Sequence, residues 1–127
     1  MSRENELATI VVNCCYRVHK SLGPGLLETV YEEVLSYELK KQGVSFERQL
    51  TIPVVYESVK LNTGFRADII VEKCLILEIK SIEMLAPVHQ KQLLTYLRLT
   101  NIKLGLLINF NTSLIKDGLQ RIVNGLK

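Results

Sequence analysis

Cysteine is scarce in this 127-residue chain, and its placement excludes two common architectures. Cys14, Cys15 and Cys74 form an odd set with no C-x-x-C spacing, which argues against both a disulfide framework and a zinc cluster. A reducing cytoplasm is the expected location. No apolar run approaches the ~18 residues of a membrane span, and the start, Met1 to Glu6, is polar and acidic, unlike a signal peptide. The expectation is a protein neither exported nor membrane-bound. Also missing are a Gly-rich phosphate loop, an H-E-x-x-H helix and a Ser/His/Asp pattern, so that a nucleophile, if there is one, is water. Charge of one sign is not in excess either. A net charge of +3 permits contact with phosphates but falls well short of a nucleic-acid-binding signature.

What the chain does have is 47% apolar and 23% charged residues, an ordinary balance for a folded protein. Its length predicts one domain over residues 1–127. Leu7, Ile10, Val11, Cys14, Val18 and Leu22 recur at spacings of three and four, which predicts a helix over residues 5–21 with Cys14 on its inner stripe. Gly23-Pro24-Gly25 breaks it and opens a second helix over 26–42, with Leu27, Val30, Tyr31, Val34 and Leu35 on one face. Beyond Gly43, apolar residues at even positions from Val44 to Tyr56 predict a strand bent at Pro53, with an edge or a bulge there. Glu57 to Gly64 reads as a turn. Ala86-Pro87 begins a third helix reaching Thr100, and Lys103 to Phe110 reads as a strand from a sheet interior. In the tail, Leu114 to Lys127, Asp117-Gly118 marks a turn and Leu119 to Val123 suits a short last strand. This order predicts a mixed α/β or α+β domain with its sheet in the middle.

The informative stretch is Gly64 to Ser81, where two β-branched, apolar runs carry Asp68, Glu78 and Lys80. A charge buried without a partner is costly, so charges in such strands turn to solvent or gather at a site. Strand alternation sets Glu78 and Lys80 on one face, and Asp68 on a face with Arg66 and Ile70. If Glu72-Lys73-Cys74 is a three-residue loop, positions 68 and 78 oppose one another with Cβ atoms ~5 Å apart, close enough to share a cation. A two-residue loop would separate them unless a bulge restored the parity. Opposed carboxylates repel unless a divalent ion or a lysine lies between them, and oxygen ligands suit Mg²⁺ or Mn²⁺. Lys80 would then orient or help deprotonate an attacking water and stabilise charge on a phosphate. The alternative is a solvated strand face with cross-strand ion pairs, since D-x9-E-x-K is short enough to arise by chance.

Other polar residues bear on that choice. On the third helix Gln92 shares a stripe with Val88, Tyr96 and Leu99, which predicts an inward amide pointing with Tyr96 at the carboxylates or bonded to sheet backbone. Glu28 lies beside Tyr31 and Leu35 at the edge of the second helix's apolar stripe, where it also suits a helix N-terminus. His19, one turn after Cys15, and His89, one turn before Gln92, fit surface or packing roles as well as a site.

Gly25-Leu26-Leu27-Glu28-Thr29-Val30-Tyr31 matches the signature of the GxxExxY family, and the resemblance extends over nearly the whole chain. Val18 to Gly25, Phe65 to Asp68, Leu77 to Lys80, Gln92 to Leu99 and Gly105 to Asn111 look like family blocks. Such proteins resemble the PD-(D/E)XK nuclease superfamily. The resemblance implies a restriction-endonuclease-like core, with a central mixed four- or five-stranded sheet flanked by helices. It makes Glu28 the helix acid, Asp68 and Glu78 the metal carboxylates, Lys80 the catalytic lysine and Gln92 the glutamine of the following helix. The Ile79 carbonyl adds a metal ligand, while His19, Tyr31, Arg66, His89 and Tyr96 are accessory candidates. Ala67 stands where the superfamily's name has proline, a position without direct chemistry. The implied activity is Mg²⁺- or Mn²⁺-dependent phosphodiester hydrolysis, on DNA ahead of RNA, with a homodimer compatible with so small a core. The alternative is a catalytically silent module that binds nucleic acid or a protein partner.

Overall fold

The computed structural model describes residues 2–126, Asn62 by its backbone; Met1 and Lys127, at the ends of the polar start and the tail, lie outside the described residues. Two helices come first, α1 (Arg3–Leu22) and α2 (Glu28–Lys41). Three strands follow, β1 (Phe46–Tyr56), β2 (Val59–Val71) and β3 (Leu75–Lys80). Then come α3 (Pro87–Thr100), β4 (Leu104–Asn109), a 3₁₀ turn at Ile115–Gly118 and β5 (Leu119–Val123).

The strands form one five-stranded sheet in sequence order. Every neighbouring pair is antiparallel except β3 and β4, which α3 connects in parallel. This is the mixed sheet flanked by helices that the family resemblance implies. Alternation along the two central strands divides the interior in two. Leu75, Leu77, Ile79, Leu104, Leu106 and Ile108 face α1 and α2, whereas Ile76 and Leu107 meet Leu93 and Leu97 of α3 on the other face. Gly105 lets α3 approach closely, because a Cβ there would stand 3.0 Å from Leu93.

Four boundaries or faces differ from expectation. The turn after β1 is only Glu57-Ser58, and β2 already begins at Val59, extending the hairpin well beyond Gly64. In α3 the buried stripe is Leu93 and Leu97; Val88 and Leu99 are exposed, because the close approach over Gly105 turns the leucines inward. In α2 it is Tyr31, Leu35 and Leu39 with Glu32 and Ser36, which leaves Leu27 73% exposed and Val30 partly so. β1 does not keep one apolar face: Phe46 packs with the α1/α2 core, whereas Leu50 and Ile52 pack with the α3 core. Between them Gln49 takes a left-handed backbone, φ 52°, which turns the strand over.

Pro53 does sit at the sheet's edge beside an irregularity, since the β1/β2 register shifts between Pro53 and Val55. Gly64 pairs with Pro53 there, and a Cβ on it would collide with the Ile52 carbonyl. Gly64→Ala is expected to destabilise the protein by about 2 kcal/mol or more, through overpacking against rigid backbone. Chemical denaturation checks this, and a variant of wild-type stability would refute it.

Candidate metal-binding and hydrolytic site

The connection between β2 and β3 is Glu72-Lys73-Cys74, with Glu72 and Lys73 both at positive φ. Val71 therefore pairs with Leu75, Ile70 with Ile76 and Ile69 with Leu77. The next step in that register sets Asp68 opposite Glu78. The ladder stops short of that step, and from Ala67 back to Val59 the strand β2 pairs with β1 alone. Two side chains close the ladder's end in place of backbone: Asp68 Oδ2 accepts the Ile79 N–H at 2.8 Å, and Glu78 Oε1 accepts the Asp68 N–H at 3.3 Å. The expected sharing of a face by Asp68, Arg66 and Ile70 is broken here. Ile70 and Ala67 enter the same core although three residues apart, so the strand reverses its faces at Asp68.

The notch left by the departing strand collects charge from several elements. Glu78 is 6% exposed. Burial first, and the Asp68 carboxylate second, push its pKa from the ordinary 4.5 up to about 8. Asp68 is also shifted upward, mainly by burial and then by Glu32, against the opposing pull of the Ile79 N–H, Lys80 and Gln49. Lys80 follows Glu78 on the same face of β3 and is half-buried. It acts on both carboxylates through space without forming an ion pair among the described residues.

The N–H and C=O of one strand residue point to the same side. The Ile79 N–H reaches across to Asp68 while the Lys80 C=O bonds the Phe110 N–H on the β4 side, so the Ile79 carbonyl turns into the notch.

Glu28, exposed at the start of α2, accepts a long hydrogen bond of 3.4 Å from the Ser81 N–H, beside a depression of about 380 Å³ lined by Leu26, Leu27, Glu28, Thr29 and Ser81. Its charge reaches Glu78. Tyr96 enters from the α3 side, stacked on Phe65 with ring centroids 3.6 Å apart. Its pKa is raised by burial and then by Glu78 and Asp68. Gln92 is exposed, off the buried stripe where the sequence placed it, one turn before Tyr96.

Among the remaining accessory candidates, Tyr31, His19 and His89 make local structural contacts. Tyr31 donates to the Gly23 carbonyl at 2.5 Å, accepts the Leu26 N–H and stacks on Phe110, so it pins the Gly-Pro-Gly loop. The His19 ring contacts the Thr112 carbonyl at 2.8 Å. His89 accepts the Ala86 N–H and caps α3. Arg66 is exposed on β2, across from Thr51.

Sequence reasoning missed Glu32, Arg48 and Gln49. Glu32 is 6% exposed and accepts from Arg48 Nε at 3.0 Å and from Gln49 at 2.6 Å. Its signal was available: it lies four residues after Glu28 and so faces the same way along α2.

Among the described residues, no three His, Cys, Asp or Glu side chains are grouped to hold an ion unaided. Two carboxylates and a strand carbonyl, completed by water, nevertheless form a hard-oxygen set of the kind that Mg²⁺ and Mn²⁺ take. The like-charge strain on Glu78 is what a cation there would relieve. Asp68, Glu78 and the Ile79 carbonyl thus fit such an ion.

A mixed sheet flanked by helices, with an Asp and an Glu-x-Lys segment meeting on its central strands, defines the restriction-endonuclease-like class. A family model described as the PD-(D/E)XK nuclease superfamily matches residues 5–122, and the chain belongs to that superfamily. Neither the curated proteins nor the solved structures give a significant match. No helix among the described residues is long and apolar enough to cross a membrane.

The upward shift of Glu78 fixes a sign for pH dependence. Below about pH 4.5 the carboxyl is protonated folded or unfolded; between 4.5 and about 8 the unfolded chain loses the proton while the native state keeps it. Stability conferred by this group is therefore lost as pH rises through that window. In EDTA, Glu78→Gln is expected to melt above wild type at pH 8, with the gap closing toward pH 4.5. Equal melting temperatures at both pH values would rule the shift out.

Proposed function

We propose that the protein is a divalent-metal-dependent nuclease of the GxxExxY type, folded as a single domain, that hydrolyses phosphodiester bonds in nucleic acid, DNA ahead of RNA. The observation that carries this reading is the meeting of Asp68 and Glu78 across the open end of the β2/β3 ladder, with Lys80 beside them. Membership of a nuclease superfamily whose enzymes generally use divalent metal ions supports it.

In this reading Asp68, Glu78 and the Ile79 carbonyl hold Mg²⁺ or Mn²⁺. The bound ion supplies an acidified water and charge neutralisation at the phosphate. Lys80 directs its ammonium N–H groups at the attacking water and at a non-bridging phosphate oxygen, where negative charge grows as the new bond forms. The water oxygen bonds to phosphorus as one ester P–O bond breaks; the water gives up a proton to solvent and the leaving oxygen takes one from solvent, giving a phosphomonoester and a free hydroxyl. Glu28, at the mouth beside Ser81, orients water at the edge of the site. Tyr96 forms the opposite wall and keeps the carboxylates partly dry, with Gln92 positioned at the rim for a substrate group. A second copy of the chain would extend the surface available for a duplex.

The test is cleavage of end-labelled single- and double-stranded DNA and RNA with Mg²⁺, Mn²⁺ or EDTA, comparing wild type with Asp68→Ala and Lys80→Ala. Wild-type cleavage is expected to need the metal and to fall on the order of 10²-fold or more in each variant. If no substrate is cut with either metal, and calorimetry finds no ion binding that Asp68→Ala removes, the silent module becomes the better reading.

A further inference from the structure

Gln49 combines three features that nothing in the proposed hydrolysis explains. It lies inside strand β1 with a left-handed backbone, φ 52°, a strained conformation for a residue with a full side chain. The strand turns over at this point, sending Phe46 to one core and Leu50 and Ile52 to the other. Irregularities of this kind next to a site re-aim a side chain.

The side chain that is re-aimed is that of Gln49 itself. Its Nε2 donates to Glu32 Oε1 at 2.6 Å and to Asp68 Oδ1 at 3.4 Å. An amide nitrogen carries two N–H donors, so one group serves both carboxylates. Glu32 is a firm anchor for it, buried on α2 and gripped by the Arg48 guanidinium at 3.0 and 2.9 Å.

Asp68 needs such a second hold. The Ile79 N–H fixes only Oδ2, and the carboxylate can still swing about that one bond. We propose that Gln49 is a positioning residue: anchored on the Glu32–Arg48 pair, its amide holds Asp68 Oδ1 so that the oxygen's remaining lone pair faces the notch for a divalent cation. The cation clause rests on the function proposed above; the hold on Asp68 does not.

The experiment uses Gln49→Asn and Gln49→Gly, because asparagine and glycine both accept the left-handed backbone while neither reaches Asp68. Two readouts are taken on the full chain. In metal-free protein, hydrogen exchange of the Ile79 amide by NMR is expected to quicken about 10-fold in both variants as its acceptor loosens, while the Leu107 amide of β4 keeps its wild-type rate. Mn²⁺ affinity by calorimetry is expected to weaken about 10-fold or more, the usual effect of removing a group that orients a metal ligand. An Ile79 amide that exchanges no faster in either variant overturns the proposal. Unchanged Mn²⁺ affinity with a faster Ile79 amide overturns its cation clause. A wild-type protein that takes up no Mn²⁺ sinks the metal-dependent function instead, and the Ile79 rate then still decides what Gln49 does.

Discussion

Where a neighbouring strand's carbonyl would ordinarily stand, the Ile79 amide meets a carboxylate. That substitution is possible because β2 and β3 pair at only three positions, so that the backbone of β2 does not meet the Ile79 amide. Asp68 fills the gap from one strand and Glu78 from the other, each capping a backbone N–H that the ended ladder would orphan. Two carboxylates drawn together in this way repel, and the polar residues nearby can be understood as responses to that repulsion. The Lys80 charge, the Gln49 amide and the Ile79 N–H all favour ionised Asp68, while burial, Glu32 and Glu28 oppose ionisation of one carboxyl or the other.

The two cores divide the work. The core under α1 and α2 is the larger, built from alternate residues of the central strands with Tyr31 stacked on Phe110 inside it. It packs α2 against the sheet, so that Glu32 is presented inward and Glu28 stands exposed at the start of the helix. The core under α3 is smaller and ends at the site, with Ala67 and Ile76 next to the two carboxylate positions and the Phe65–Tyr96 stack forming a wall. The chain thus places the acidic notch where the larger core and the smaller one meet.

Much of this was legible beforehand because it follows from local rules. A three-residue loop was one of two readings open in the sequence, and Glu72-Lys73-Cys74 does set the register that aims Asp68 at Glu78, although the ladder ends one step earlier and side-chain hydrogen bonds complete the meeting. The edge at Pro53 followed from its missing N–H. What could not be read depended on tertiary packing. Apolar residues at even positions on both sides of Gln49 cannot announce that it inverts the strand, since its side chain is held by Glu32 from a helix 17 residues earlier. Gln92 looked inward because Val88 and Leu99 share its stripe, yet Leu93 and Leu97 take the interior once Gly105 admits them. Tyr31 looked like a neighbour of the site, but its hydroxyl serves the backbone of the Gly23 loop.

A purely structural explanation of the charges would require cross-strand ion pairs or solvent. Ion pairs do form in this protein, as at Arg48–Glu32 and Arg3–Glu72, but none among the described residues involves Asp68 or Glu78. Solvent does not serve Glu78 either, because it is almost wholly enclosed. A leucine or glutamine there would fill the space without the upward pKa shift that makes the glutamate a burden at neutral pH. In the proposed function, a carboxyl kept where its ionised form is disfavoured, beside a second carboxyl, is accounted for by a cation that takes oxygen ligands. A divalent cation would meet that need, whereas a solvated strand face would leave Glu78 exposed rather than enclosed.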